Sequence, residues 1–209
     1  MVYRLNEILL EEEKFHGLKY VDDFKIIILK KESNMKRYLP WLKGDGYSVS
    51  LNLVNLIYIG PEAKKSPNGI EPYLKHELSH LLIGQNTTFN KAMKIHNQGW
   101  FAEGIAEYFS GRSFYSKNEF LRICKISNFH FACLHEKNPL KMSIEEMMIK
   151  YTYYRFFIDF LVGNYDLNKF QQYLKEYIKD PDRYKRLFIE VYANDLDTIL
   201  NEFNSSLNN

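Results

Sequence analysis

The stretch Tyr73–Gly84, YLKHELSHLLIG, sets how the rest of the chain is read. Leu74, Leu78, Leu81 and Leu82 recur at three- and four-residue spacings, which predicts an amphipathic helix from Ile70 onward with Gly84 as its stop. On such a helix positions i and i+4 lie one above the other, so His76 and His80 direct both imidazoles toward one point. That point can hold a metal ion, because neutral imidazole is a good zinc ligand. Glu77 stands beside it, where a carboxylate can take a proton from water.

Two histidines leave a catalytic zinc site incomplete, since such a site uses three protein ligands and keeps one position open. A third histidine in the HExxHxxGxxH pattern would fall at Asn86, with its glycine at Ile83, so that arrangement is excluded. The run WFAEGIAEY, Trp100–Tyr108, offers carboxylates instead. It predicts a second helix over Trp100–Ser110, closed by Gly111 and reached through a polar connection over residues 85–99. Glu103 and Glu107 are again i and i+4; one carboxylate can ligate, and Glu107 can accept a hydrogen bond from the far nitrogen of a ligand histidine. Gly104, costly in a helix interior by about 1 kcal/mol, predicts close packing against the HELSH helix.

Before this pair of helices the chain predicts a short charged amphipathic helix and a small sheet. Phe24–Leu29 (FKIIIL) reads as one strand and Ser48–Ile59 as another, with a turn at Gly44-Asp-Gly46 and a stop at Gly60-Pro61. Lys64–Gly69 reads as a loop. After Gly111 the signals stay helical: Ser143-Ile-Glu-Glu146 is a capping-box pattern, and breaks are predicted near Gly163, Pro181 and Asn194. The fold class is therefore α+β, a small N-terminal sheet packed on the HExxH helix and followed by a mainly helical C-terminal subdomain. We read residues 1–209 as a single domain, with 1–99 supplying the sheet and the HExxH helix and 100–209 the helical part.

Composition narrows the partners. A net charge of +2, with both signs interspersed, gives no electrostatic case for a nucleic-acid or membrane partner. There is no signal-peptide pattern and no run of about 20 apolar residues, so the expected location is the cytoplasm. Cys124 and Cys133 lie nine positions apart without CxxC spacing and read as reduced core thiols. The 16 tyrosines and 15 phenylalanines point to aromatic-rich cores. His96, His130 and His135 read as exposed or hydrogen-bonded histidines outside the metal site.

HELSH followed by WFAEGIAEY resembles the gluzincin zinc metallopeptidases, the aminopeptidase N-like and peptidase MA-like enzymes, over roughly residues 55–205. The resemblance implies a thermolysin-like catalytic domain and peptide or protein substrates. It makes His76, His80 and Glu103 the Zn2+ ligands and Glu77 the general base, and it implies peptide-bond hydrolysis by water activated at the metal. It also implies a tyrosine that steadies the oxyanion; in YTYYRFFIDFLVGNY the match is Tyr151, with Tyr153 and Tyr154 as competitors. It further implies an edge strand that aligns the substrate main chain, for which Val54–Ile59 is the candidate. The chain departs from the family in lacking the glutamate-containing exopeptidase motif before HELSH, and Gln98-Gly99 replaces the usual proline. Two rival readings remain open: a catalytically inactive zinc-binding module with a regulatory or partner-binding role, and a metal-free helical interaction protein. Oligomeric state is not read from the sequence.

Overall fold

The computed structural model describes residues 2–31, 37, 48–51, 54–127 and 143–207, and these are mostly helical with a small sheet. The arrangement is compatible with the α+β reading. Cys133, His130, His135 and the Gly44–Gly46 turn lie outside the described residues. Two compact units can be distinguished: one takes the chain through Phe89 together with Phe109–Arg112, the other takes Asn90–Tyr108 and Ser113 onward.

In the first unit, α1 (Val2–His16) leads to a three-stranded sheet, then to a short helix α2 (Pro61–Lys65) and to α3 (Glu71–Gln85). The strands are β1 (Lys25–Ile28), β2 (Ser48–Leu51) and β3 (Leu56–Ile59), ordered β1-β3-β2. β1 runs parallel to β3 with Lys25 opposite Leu56, and β2 runs antiparallel with Ser48 opposite Ile59. The sequence predicted one strand over Ser48–Ile59; the structure folds that stretch into two, reversing where Asn55 adopts φ 49°. Asparagine tolerates the left-handed region better than other non-glycine residues, a signal hidden by the surrounding apolar run. Val54–Ile59 is therefore no edge strand: β3 is paired on both sides. Lys64 and Lys65, read as loop, close α2.

The core of this unit joins α1, β3 and α3. Leu74, Leu78 and Leu81, at the spacing that predicts the helix, pack with Ile8, Ile57, Ile59 and Ala63. Burying a side chain such as Leu78 stabilises by roughly 1.5–3 kcal/mol, so a stripe of three outweighs the weak intrinsic preference of the two histidines for a helix. Helix α3 runs through Gly84 and ends one residue later, at Gln85. Its stop is Asn86, whose backbone N–H reaches the Ile83 carbonyl and whose Nδ2 donates to Leu82 O at 2.8 Å and Lys19 O at 2.9 Å.

The second unit begins in a stretch read as a polar connection, where the structure instead has a helix, α4 (Phe89–Gln98). Only Ile95 of α4 is buried, while Phe89 and Met93 are exposed, so the apolar face that reveals a helix in a sequence is almost missing. Polar contacts hold it: Lys94 pairs with Asp182, Tyr177 Oη donates to Gln98 Oε1, and Gln98 Nε2 donates to Pro181 O at 3.3 Å. Gly99, at φ +66°, turns the chain into α5 (Trp100–Ser110), and Gly111, at φ +69°, ends it. The remaining elements are α6 (Lys117–Ser127), α7 (Ile144–Tyr165), α8 (Leu167–Lys179), a 3-10 turn Pro181–Arg183, α9 (Tyr184–Tyr192) and α10 (Leu196–Leu207). The capping box at Ser143 forms as read, with Glu146 N donating to Ser143 Oγ at 3.1 Å and Ser143 N to Glu146 Oε2 at 2.9 Å. Gly163 does not break α7; the break comes at Asp166, which takes φ 74° and caps α8.

Aromatic side chains fill the core of this unit. Trp100 and Phe101 are buried from the first turn of α5, with Phe101 5.0 Å from both Tyr173 and Tyr177 and Trp100 5.6 Å from Phe157. Close packing at Gly104 is present, but against α7: a Cβ there would stand 2.9 Å from both Tyr154 O and Ile158 Cγ1. The expectation that Gly104 faces the HELSH helix was wrong, because spacing within one helix does not say which helix lies over its bare position.

Candidate metal centre

The three predicted ligands converge. One ligand atom from each of His76, His80 and Glu103 lies within 4.8 Å of the others, and among the described residues they form a group that could hold a metal ion. His76 is buried; His80 and Glu103 are half-buried. The Nε2 atoms of His76 and His80 are 3.1 Å apart, and the rings stand 4.8 Å apart at 78°. Two ligands at zinc–nitrogen distance in a tetrahedral array stand about 3.3 Å apart, so the imidazole pair already has the spacing a metal requires. The donor set, two imidazoles and a carboxylate, fits a divalent ion that keeps an open position.

Glu77 is only 5% exposed, on the same helix as both imidazoles. Glu107 is 1% exposed, so it is no solvated surface carboxylate; it lies one helical turn beyond Glu103. Tyr151 is half-buried, its ring 6.4 Å from both Phe114 and Tyr154. Tyr153 is turned to a packing role: it is buried, its hydroxyl donates to Asn204 Oδ1 at 3.1 Å, and desolvation raises its pKa. His96 is exposed on α4, as read. Cys124 is buried and free, its thiol pushed up to about 11 by burial, which suits an inert core thiol.

Two residues of the first unit were missed by the sequence reading. Glu12 and His16, i and i+4 on α1, are both 0% exposed. Ser79 Oγ donates to Glu12 Oε1 at 2.6 Å, and Tyr20 Oη lies 3.4 Å from Glu12 Oε2 and 3.3 Å from Leu78 O. His16 Nδ1 lies 2.8 Å from the Glu12 carbonyl oxygen, and burial lowers the imidazole to about 4. The available signal was the four-residue spacing. It was masked because Glu12 falls within three consecutive glutamates, a pattern that ordinarily marks a solvated face.

Burial holds the Glu12 carboxyl well above its ordinary 4.5 despite the Ser79 and Tyr20 hydrogen bonds. A raised folded pKa contributes stability that is fully present below 4.5 and is lost as pH rises toward the folded value. Glu12→Gln retains an acceptor for Ser79 and cannot ionise. Its stability relative to the unsubstituted protein should therefore improve steadily as pH rises above about 4.5. Urea denaturation of both proteins across that range checks this, and a pH-independent difference would contradict it.

No protein-family model matches the chain, and no curated protein matches it. Among the described residues no helix is long and apolar enough to cross a membrane.

Proposed function

We propose that this chain is a zinc metallopeptidase with a thermolysin-like, gluzincin catalytic domain, acting on peptide or protein substrates in the cytoplasm. The observation that carries the reading is the convergence of His76, His80 and Glu103, from two separate helices, with Glu77 buried on the first of them. The grouping supports this reading, because an HExxH match arising by chance carries no requirement that a carboxylate from a second helix lie near its histidine pair.

When bound, a zinc ion would polarise a scissile carbonyl and lower the pKa of water at its open position. Glu77 takes the proton from the attacking water and returns it to the leaving amine. Its burial strengthens that role, since a carboxylate shielded from solvent keeps the proton it has taken within the site. Tyr151 donates its phenolic hydrogen to the oxygen on which negative charge develops. It is preferred to Tyr153, whose hydroxyl is engaged by Asn204. Glu107 orients a ligand histidine by accepting a hydrogen bond from its outer nitrogen. Val54–Ile59, paired on both sides, has no free edge to offer a substrate main chain.

The test is digestion of a peptide library by the purified full chain carrying a measured equivalent of zinc. Cleavage is expected, and it should vanish with a chelator and return when zinc is restored. A protein that holds one equivalent of zinc and cleaves nothing would overturn the peptidase reading and favour the inactive zinc module.

A further inference from the structure

Neither the ligand set nor the proton chemistry above uses His16, although its imidazole is fully buried. A carbonyl oxygen only accepts, so the 2.8 Å contact with Glu12 O requires the hydrogen to be on Nδ1, and Nε2 carries the lone pair. That Nε2 is buried and meets no hydrogen-bond partner from the protein. An acceptor left in this state costs about 1–3 kcal/mol, so a chain free to place any apolar residue here would be more stable for doing so.

The position of His16 points to its use. Helices α1 and α3 run side by side in one direction: Arg4 pairs with Glu71 at 2.7 Å, Glu11 with Lys75 at 3.4 Å, Glu12 accepts from Ser79 at 2.6 Å, and Lys19 O accepts from Asn86 at 2.9 Å. His16, one turn past Glu12, therefore faces the turn that begins at His80. Phe15 and Phe109, at 5.2 and 5.6 Å, wall the His16 ring. His80 meets His76 through Nε2, so its Nδ1 is the edge turned away from the metal position.

We propose that His16 is a positioning residue of the metal centre: one enclosed water accepts the Nδ1 hydrogen of His80 and donates its own hydrogen to His16 Nε2, which holds the His80 imidazole in the tautomer that presents a bare Nε2 to the metal. The inference rests on the metal-site reading but not on peptide hydrolysis. It identifies a group behind His80 on a helix far away in sequence from the motif.

The experiment measures zinc affinity of the full chain by competition with a chromophoric chelator. His16→Leu should weaken binding by about 10–100-fold, the usual effect of removing a group that orients a ligand. His16→Gln, whose side-chain oxygen can accept in the same place, should recover most of that loss. Long-range 1H–15N spectra of the zinc-loaded wild type should show the hydrogen of His16 on Nδ1 and the hydrogen of His80 on Nδ1. This arm needs no variant and so decides the matter if His16→Leu fails to fold. Zinc binding by His16→Leu as tight as wild type, equal losses in both variants, or a hydrogen on His16 Nε2 would each overturn the proposal while leaving the ligand set intact. A wild-type chain that binds no zinc would overturn the metal reading and this inference with it.

Discussion

Zinc-loaded Glu77→Gln should hydrolyse peptides about 10²–10⁴-fold more slowly than the unsubstituted protein while keeping one equivalent of metal. The substitution exchanges one carboxylate oxygen for an amide nitrogen at nearly constant volume, so it removes the ability to take a proton and little else. Glu77 is 5% exposed, and a neutral amide is no harder to bury than a carboxylate, so α3 should keep its packing and the imidazole pair its 3.1 Å spacing. The loss should fall on kcat with KM nearly unchanged, because proton transfer occurs in the transition state and contributes nothing to ground-state binding. Steady-state kinetics with metal analysis on the same sample are the measurement. A variant that retained hydrolysis within a few-fold would remove Glu77 from the reaction. Intact folding with no change in any metal-dependent property would favour a zinc module in which Glu77 is only a buried carboxylate.

Each pair in the candidate metal centre was legible because its information is local, whereas the joining of Glu103 to the two histidines was implied by the family resemblance and not by helical geometry. His76 and His80 are one helical turn apart, Glu103 and Glu107 likewise, and helical geometry fixes where such pairs point. What the sequence could not supply was anything set by the meeting of distant segments. Val54–Ile59 was given the role of an edge strand, but whether a strand lies at an edge depends on β1, some thirty residues earlier, pairing with β3. Helix α4 was hidden because polar side chains, from Lys94 to Gln98, anchor it to Pro181 and Asp182, and such contacts leave no periodic trace. Glu12 and His16 carried the same spacing as the motif itself. Nothing in a glutamate run says that one member will be completely buried against Ser79.

Gly104 shows the same limit and leads to the second large effect. Gly104→Val should destabilise the chain by about 2–3 kcal/mol, and Gly104→Ala by less, as read from urea denaturation. A Cβ at this position meets the Tyr154 carbonyl oxygen at 2.9 Å and carbon at 3.2 Å, backbone atoms inside α7 that no rotamer change can move. The third contact, Ile158 Cγ1 at 2.9 Å, belongs to a side chain with no exposure and hence no open space to swing into. Alanine recovers about 1 kcal/mol of helix preference against an overpacking cost of about 1–3 kcal/mol, so its net effect is small to moderate. Valine loses much of that compensation through β-branching and adds two methyl groups to the same contact. An unchanged or raised stability for the valine variant would show that the two helices do not approach as closely as described. The contact also bears on function, because Glu103 is the preceding residue on α5 and Tyr151 lies one turn before Tyr154 on α7. In the mechanism proposed above, separating the two helices at Gly104 would shift Glu103 relative to Tyr151. Gly104→Ala should therefore lower hydrolytic activity more than its modest loss of stability accounts for.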